Sequence, residues 1–193
     1  MIPTREEAER LLKDAETSNP GEWASHCRIA ARCAEQIAAE CGDMNVDKAY
    51  VLGLLHDVGR KYGRCQLKHV YVGWKYMLQL GYDEVARICL THSFPVKQIG
   101  VYIGNFDINE EQQNEIKSAL QEIDYDDYDR LIQLCDCVAG AAGTMTLEAR
   151  MTDAEKRYGK PFPKDNWDTC MNLQKYFEKK SGKSIYDIIK YKE

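Results

Sequence analysis

Between residues 46 and 92 the apolar residues fall at three- and four-residue spacing in three successive stripes, and each stripe meets a histidine or an aspartate. The first stripe, Ala49, Tyr50, Gly53 and Leu54, steps onto Asp57. The second, Val72, Gly73, Tyr76, Met77 and Leu80, counts back onto His69, and the third, Val85, Ile88 and Cys89, steps onto His92. A fourth case follows downstream, where Leu131, Ile132, Leu134, Cys135, Val138, Ala139 and Ala142 make a strongly apolar helix interrupted by Asp136. An ionised carboxylate in a core is costly unless it is paired. Asp57 and Asp136 therefore need a counter-charge, and a metal ion supplies one.

The rest of the chain also reads as helix and turn. Thr4 with Glu7 has the form of a capping box for a first helix reaching about Glu16, before Asn19-Pro20-Gly21 interrupts it. Residues 22–41 place Trp23, Cys27, Ala30, Ala34, Ile37, Ala38 and Cys41 on one helical face, with Gly42 as the stop. Pro95, Gly100 and Gly104 break the period across residues 93–108, so a loop that could cover an active site is expected there. A polar helix over 109–122 and an acidic stretch over 124–129 follow, the latter read as a solvated connection and helix start. After the 159–166 loop, Trp167, Cys170, Met171 and Phe177 define another helix, and a short last helix follows Ser184. Gly182-Lys183-Ser184 imitates the end of a phosphate-binding loop, but the required earlier glycine falls on Phe177 and no strand precedes it. The expectation is an all-α single domain over residues 1–193, and the family resemblance given below implies a metal-binding core at about 22–147 with a C-terminal helical extension at about 148–193.

Charge and cysteine usage narrow the class further. A net charge of -5 argues against wrapping polymeric nucleic acid, although a local cluster of cations can still hold a small phosphorylated molecule. No apolar run suits a membrane span and the start is acidic and amphipathic, so a cytoplasmic protein is expected. The eight cysteines sit mostly within helical apolar patterns and read as reduced core thiols, with Cys135-x-Cys137 a packing feature rather than a ligand pair.

The four histidines, His26, His56, His69 and His92, all lie in or beside helices with apolar faces. Imidazole nitrogen and carboxylate oxygen together suit zinc, iron, manganese and related divalent ions, while the lack of a thiolate cluster argues against a purely structural zinc site. The series His26, then His56-Asp57 within LLHDVGR, then Asp136 within LIQLCDCVAG resembles the H...HD...D signature of HD-domain metal-dependent phosphohydrolases, over about residues 22–147. His69 and His92 fall where the two-metal branches of that family carry extra ligands, a pattern that resembles the branch of the bacterial diadenosine tetraphosphate hydrolases. The resemblance implies an HD-domain-like helical bundle in which His26, His56, Asp57 and Asp136 hold one ion. It further implies that Asp57, His69 and His92 hold a second, with Asp57 bridging.

By the same resemblance the expected activity is hydrolysis of a phosphate ester or anhydride, of a small nucleotide, by metal-activated hydroxide. Asp57, Arg60 and Lys61 are the candidate catalytic residues, with Arg60 stabilising charge on the transferred phosphoryl group. Two ions are expected, iron first, with manganese, zinc, cobalt, nickel and magnesium open, and a homodimer is also open. Arg60 stands where the family often has lysine, as HDxGK, and either cation can neutralise phosphate. The GYP element of the cyclic-dinucleotide phosphodiesterases does not follow, so that activity is not carried over. The alternatives are a di-iron oxygenase of the same fold and a non-catalytic, metal-dependent nucleotide-binding module. Arg60, where one oxygenase subgroup has a further histidine, favours hydrolysis over the first.

Overall fold

The computed structural model describes residues 1–190. Among these there are ten α-helices and no strand, as the periodicity predicts: α1 Arg5–Ser18, α2 Trp23–Cys41, α3 Val46–Leu55, α4 Leu67–Gln79, α5 Asp83–Thr91, α6 Glu110–Glu122, α7 Asp127–Val138, α8 Leu147–Tyr158, α9 Lys164–Ser181 and α10 Ile185–Ile188. Two short 3₁₀ segments, Val58–Tyr62 and Ile99–Val101, complete the regular structure. No helix among the described residues is long and apolar enough to cross a membrane. The Thr4–Glu7 capping box forms, and α2 stops at Gly42 in the left-handed conformation that glycine takes without strain.

The main core is shared by α1, α2, α3, α5, α7 and the C-terminal helices. Small residues set its tightest contact: α2 buries Ala24, Ala30, Ala31, Ala34 and Ala38, and a Cβ at Gly53 of α3 would stand 2.8 Å from Ala31 Cα. With nothing larger between them the two backbones approach closely, which brings the C-terminal end of α3 beside the first turns of α2. A second, smaller core joins α4 and α5 to residues 94–102 and α6 through Leu67, Val70, Leu90, Phe94, Ile99, Tyr102, Ile116 and Leu120. The expected loop at 93–108 is thus held down by its own buried side chains, with one 3₁₀ turn inside it.

Two sequence expectations change. The apolar helix ends at Val138 rather than Ala142, where Ala139 turns extended and pairs in a single bridge with Thr144. The acidic stretch is only partly solvated. Asp126 caps α7, and Asp129 is fully buried, accepting a 2.7 Å hydrogen bond from Thr91 Oγ1 and two more from the Arg87 guanidinium. A buried carboxylate satisfied this way is a strut between α5 and α7. It fixes His92, the residue after Thr91, relative to Asp136, two turns along α7.

At the surface, Asp127 ties α7 to α9 through Lys180 at 2.5 Å and the Tyr176 hydroxyl at 2.8 Å. Burial alone would raise the Asp127 carboxyl, but Lys180 and Tyr176 hold it below its ordinary range. The folded state therefore keeps this carboxylate ionised where the unfolded chain, with a value near 3.9, takes up a proton. Its stabilisation is present above about pH 4 and disappears as pH falls through the folded value. Asp127→Asn should cost about 1 kcal/mol at pH 7, the small figure reflecting partial exposure, and less near pH 2. Denaturant titrations at the two pH values check this, and an equal gap at both would contradict it.

Candidate metal centre

All six residues singled out as ligands converge, although they come from five separate elements. His26 belongs to the first turn of α2, His56 is the C-terminal cap of α3, His69 lies in the first turn of α4, His92 caps the C-terminus of α5, and Asp136 lies in α7. Asp57 does not continue the α3 helix. It sits at the break between α3 and the 3₁₀ turn, with φ −104° and ψ 13°, which lets two adjacent side chains point into one site. Three ligand groups have their donor atoms within 4.8 Å of one another: His26, His56 and Asp57; His56, His92 and Asp136; and Asp57, His69 and His92. The four histidines and Asp57 are each less than one-tenth exposed.

The hydrogen bonds around the rings fix which nitrogen faces the site. Nδ1 of His26 lies 2.9 Å from the Ala139 carbonyl, that of His56 2.7 Å from the Gly53 carbonyl, and that of His92 3.0 Å from the Cys89 carbonyl, while His69 Nδ1 pairs with the Gln66 carbonyl. A carbonyl only accepts, so every Nδ1 carries a proton and every neutral ring turns an Nε2 lone pair inward. Those lone pairs crowd together: His26 and His56 Nε2 are 3.2 Å apart, and His69 and His92 Nε2 are 3.3 Å apart. Asp136 Oδ1 stands 3.0 Å from His26 Nε2, and Asp57 Oδ1 stands 3.0 Å from His69 Nε2 and 3.5 Å from His92 Nε2.

Asp57 Oδ1 is buried and accepts no aligned hydrogen bond. Acceptors packed against acceptors, with one carboxylate oxygen unsatisfied, are what a cation resolves, so the donor set fits a divalent metal. The charge states agree. Burial lowers His56 to about 4, and burial with the nearby Arg60 charge lowers His69, keeping both rings neutral. Burial would raise both carboxyls, but the Arg60 guanidinium holds Asp57 far below its ordinary range, and His26 together with the Arg150 charge does the same for Asp136. His92 shifts upward instead, because the Asp57 charge beside it outweighs its burial.

The cluster lies on the wall of a cavity of about 830 Å³, a size suited to a nucleotide-scale ligand. Arg60 lines it too, but its Nε is spent on Asp57 Oδ2 at 2.5 Å and its Nη1 on the Cys65 carbonyl at 3.3 Å. Lys61 is not among the lining residues; its ammonium rests 4.1 Å from the Tyr76 ring centroid. Sequence reasoning missed another part of the lining, contributed by Tyr102, Arg150, Arg157 and Asn166. The signal for α8 was faint, since only Leu147, Met151 and Ala154 are buried along its twelve residues. Asn166 donates from Nδ2 to the Val101 carbonyl at 2.9 Å and so ties α9 to the 93–108 segment.

The sequence pattern of the HD domain family matches residues 23–141, well over half of the 193 residues, and the chain belongs to that family. Members of this family are generally metal-dependent hydrolases, and all six clustered residues fall inside the matched span. Helices α8, α9 and α10 lie beyond it. No curated protein and no solved structure matches the chain.

Proposed function

We propose that the protein is a two-metal phosphohydrolase that cleaves a phosphate ester or anhydride of a small nucleotide, in the manner of the branch that includes the diadenosine tetraphosphate hydrolases. The observation that carries this reading is the inward-turned set of four Nε2 lone pairs around Asp57 Oδ1. His26, His56, Asp57 and Asp136 would hold one ion and Asp57, His69 and His92 the other, with iron the first candidate. A divalent ion, when bound, supplies Lewis acidity toward a phosphoryl oxygen and makes water acidic enough to act as a nucleophile near neutral pH.

The chain's own residues prepare the site for that chemistry. The backbone carbonyls hold each ring in the ligating tautomer, so no reorientation is required on binding. Arg60 fixes Asp57 by its second oxygen and places a permanent positive charge on the cavity wall.

Elemental analysis of freshly purified protein, followed by assay of nucleotides and simple phosphate esters with iron, manganese and cobalt, tests the proposal. The expected result is phosphate or nucleotide release that a chelator abolishes and one added ion restores. Oxygen uptake with substrate oxidation and no phosphate release would instead identify the oxygenase alternative, and tight nucleotide binding without turnover the regulatory one.

A further inference from the structure

The residue after His92 brings a hydroxyl to the metal cluster that the six clustered residues leave out of account. Ser93 is half-buried, lines the same cavity, and places its Oγ 3.0 Å from His92 Nε2. In the neutral ring, the form that ligates, His92 Nδ1 donates its proton to the Cys89 carbonyl, so Nε2 only accepts and Ser93 is the donor. Among the described residues this is the one hydrogen bond of the Ser93 hydroxyl. It occupies the very lone pair that an ion needs. The backbone on either side is pinned: Gln133 Nε2 of α7 donates to the Thr91 carbonyl at 3.0 Å and the Phe94 carbonyl at 3.4 Å, and the Tyr125 hydroxyl donates to the Phe94 carbonyl at 2.7 Å. Thr91 and Phe94 are themselves fully buried, so the serine between them keeps little freedom beyond rotation of its side chain.

Once His92 ligates an ion, the Ser93 O–H loses its acceptor. His69 Nε2 and Asp57 Oδ1, the other acceptors near His92 Nε2 at 3.3 Å and 3.5 Å, belong to the same proposed ligand set and cannot replace it. A donor left without a partner is costly, and oxygens of a ligand held at the ion are then close at hand. We propose that Ser93 is a metal-gated ligand contact, its hydroxyl capping His92 in the metal-free protein and turning to donate to an oxygen of a bound phosphate or similar oxyanion when His92 ligates. An O–H donated to a charged oxygen is stronger than the bond to a neutral ring that it replaces. The exchange couples two binding events, since ligation by His92 frees the donor that the anion uses, and by linkage the anion tightens the ion in return. This proposal rests on the phosphohydrolase reading for the ion and for the class of anion, and adds to it a residue that touches the ligand.

Calorimetric titration of the full chain with manganese, and of the manganese-loaded chain with orthophosphate, decides the matter. Ser93→Ala should bind manganese at least as tightly as the wild type, by up to about tenfold, because a competitor for the His92 lone pair is gone. The same variant should bind orthophosphate about ten- to a hundredfold more weakly. Ser93→Thr, which keeps the hydroxyl, should hold orthophosphate within about threefold of the wild type. Unchanged orthophosphate affinity in Ser93→Ala would reduce Ser93 to a cap on His92 and overturn the proposal. An equal loss in Ser93→Thr overturns it too, because the hydroxyl would then not be the cause, and so does weakened manganese in Ser93→Ala, which would make Ser93 an ion ligand or a support for His92. A manganese-loaded wild type that binds no orthophosphate does the same. A wild type that hydrolyses nothing yet binds orthophosphate through Ser93 supports the contact and removes only the hydrolase reading. Normal turnover with phosphate binding independent of Ser93 removes only this one.

Discussion

Asp57→Asn should give a protein that binds no divalent ion and hydrolyses nothing. Asp57 Oδ1 faces the His69 Nε2 lone pair at 3.0 Å without an aligned hydrogen bond. An amide nitrogen placed there donates to that lone pair, while the amide oxygen keeps the partnership with Arg60. The substitution therefore relieves acceptor crowding in the metal-free protein and removes the one carboxylate common to both proposed ion sites. Changes to groups that merely support a ligand cost about 10–100-fold in metal affinity, so loss of the shared ligand should exceed about a hundredfold. Thermal melts with and without manganese separate the two effects. The wild type should gain about 2.7 kcal/mol at a metal concentration of one hundred times Kd, and Asp57→Asn should gain nothing. Asp57→Ala should lose metal and turnover alike, but it strands Arg60 beside a void and so melts earlier. A variant of either kind that retains turnover would sink the two-metal reading.

Asp57, His69, His92 and Asp136 were legible because each falls on an apolar helical face, where a polar residue must be satisfied by something, while His26 and His56 joined them through the resemblance to the H...HD...D signature. His26 and Asp136, distant in sequence, meet because the small-residue stripe of α2 admits α3 and because α7 crosses both. What the spacing could not show is conformation at helix ends. Asp57 falls on the stripe of α3 by counting, yet the helix has already ended at Leu55, and it is the break that turns His56 and Asp57 into one site. The acidic run at 124–129 misled for a similar reason. Charge density argues for solvent, but Asp129 finds Arg87 and Thr91 across an interface that only the fold creates. Arg150 was illegible because α8 buries a narrow stripe and turns its cations toward a cavity, so composition alone reads it as an ordinary surface helix.

Gly59→Ala should be the most destabilising single-methyl change in the chain, though the sequence marks it only as the glycine of LLHDVGR. A Cβ there would stand 2.0 Å from the His69 carbonyl oxygen and 2.7 Å from Gly73 N, both backbone atoms of α4. Neither can swing aside as a side chain does, so the 3₁₀ turn and α4 must separate. Overpacking against movable groups costs about 1–3 kcal/mol, and a rigid clash on this scale should pass about 4 kcal/mol, a large share of the roughly 5–15 kcal/mol that holds a domain together. Separation also displaces His69 from Asp57, so metal affinity should fall with stability. Gly73→Ala probes the same contact from the other side, where the nearest atoms are Gly59 N at 3.1 Å and Gly59 Cα at 3.3 Å; a shift of a few tenths of an ångström suffices, and about 1–3 kcal/mol is expected. Gly100→Ala meets nothing within 4 Å and should stay within about 0.5 kcal/mol of the wild type. Denaturant midpoints of the three variants should therefore rank Gly59 far below Gly73 and Gly73 below Gly100. A Gly59→Ala protein as stable as Gly73→Ala would mean that the 3₁₀ turn can move off α4 freely, and the preformed metal geometry would then lose its anchor.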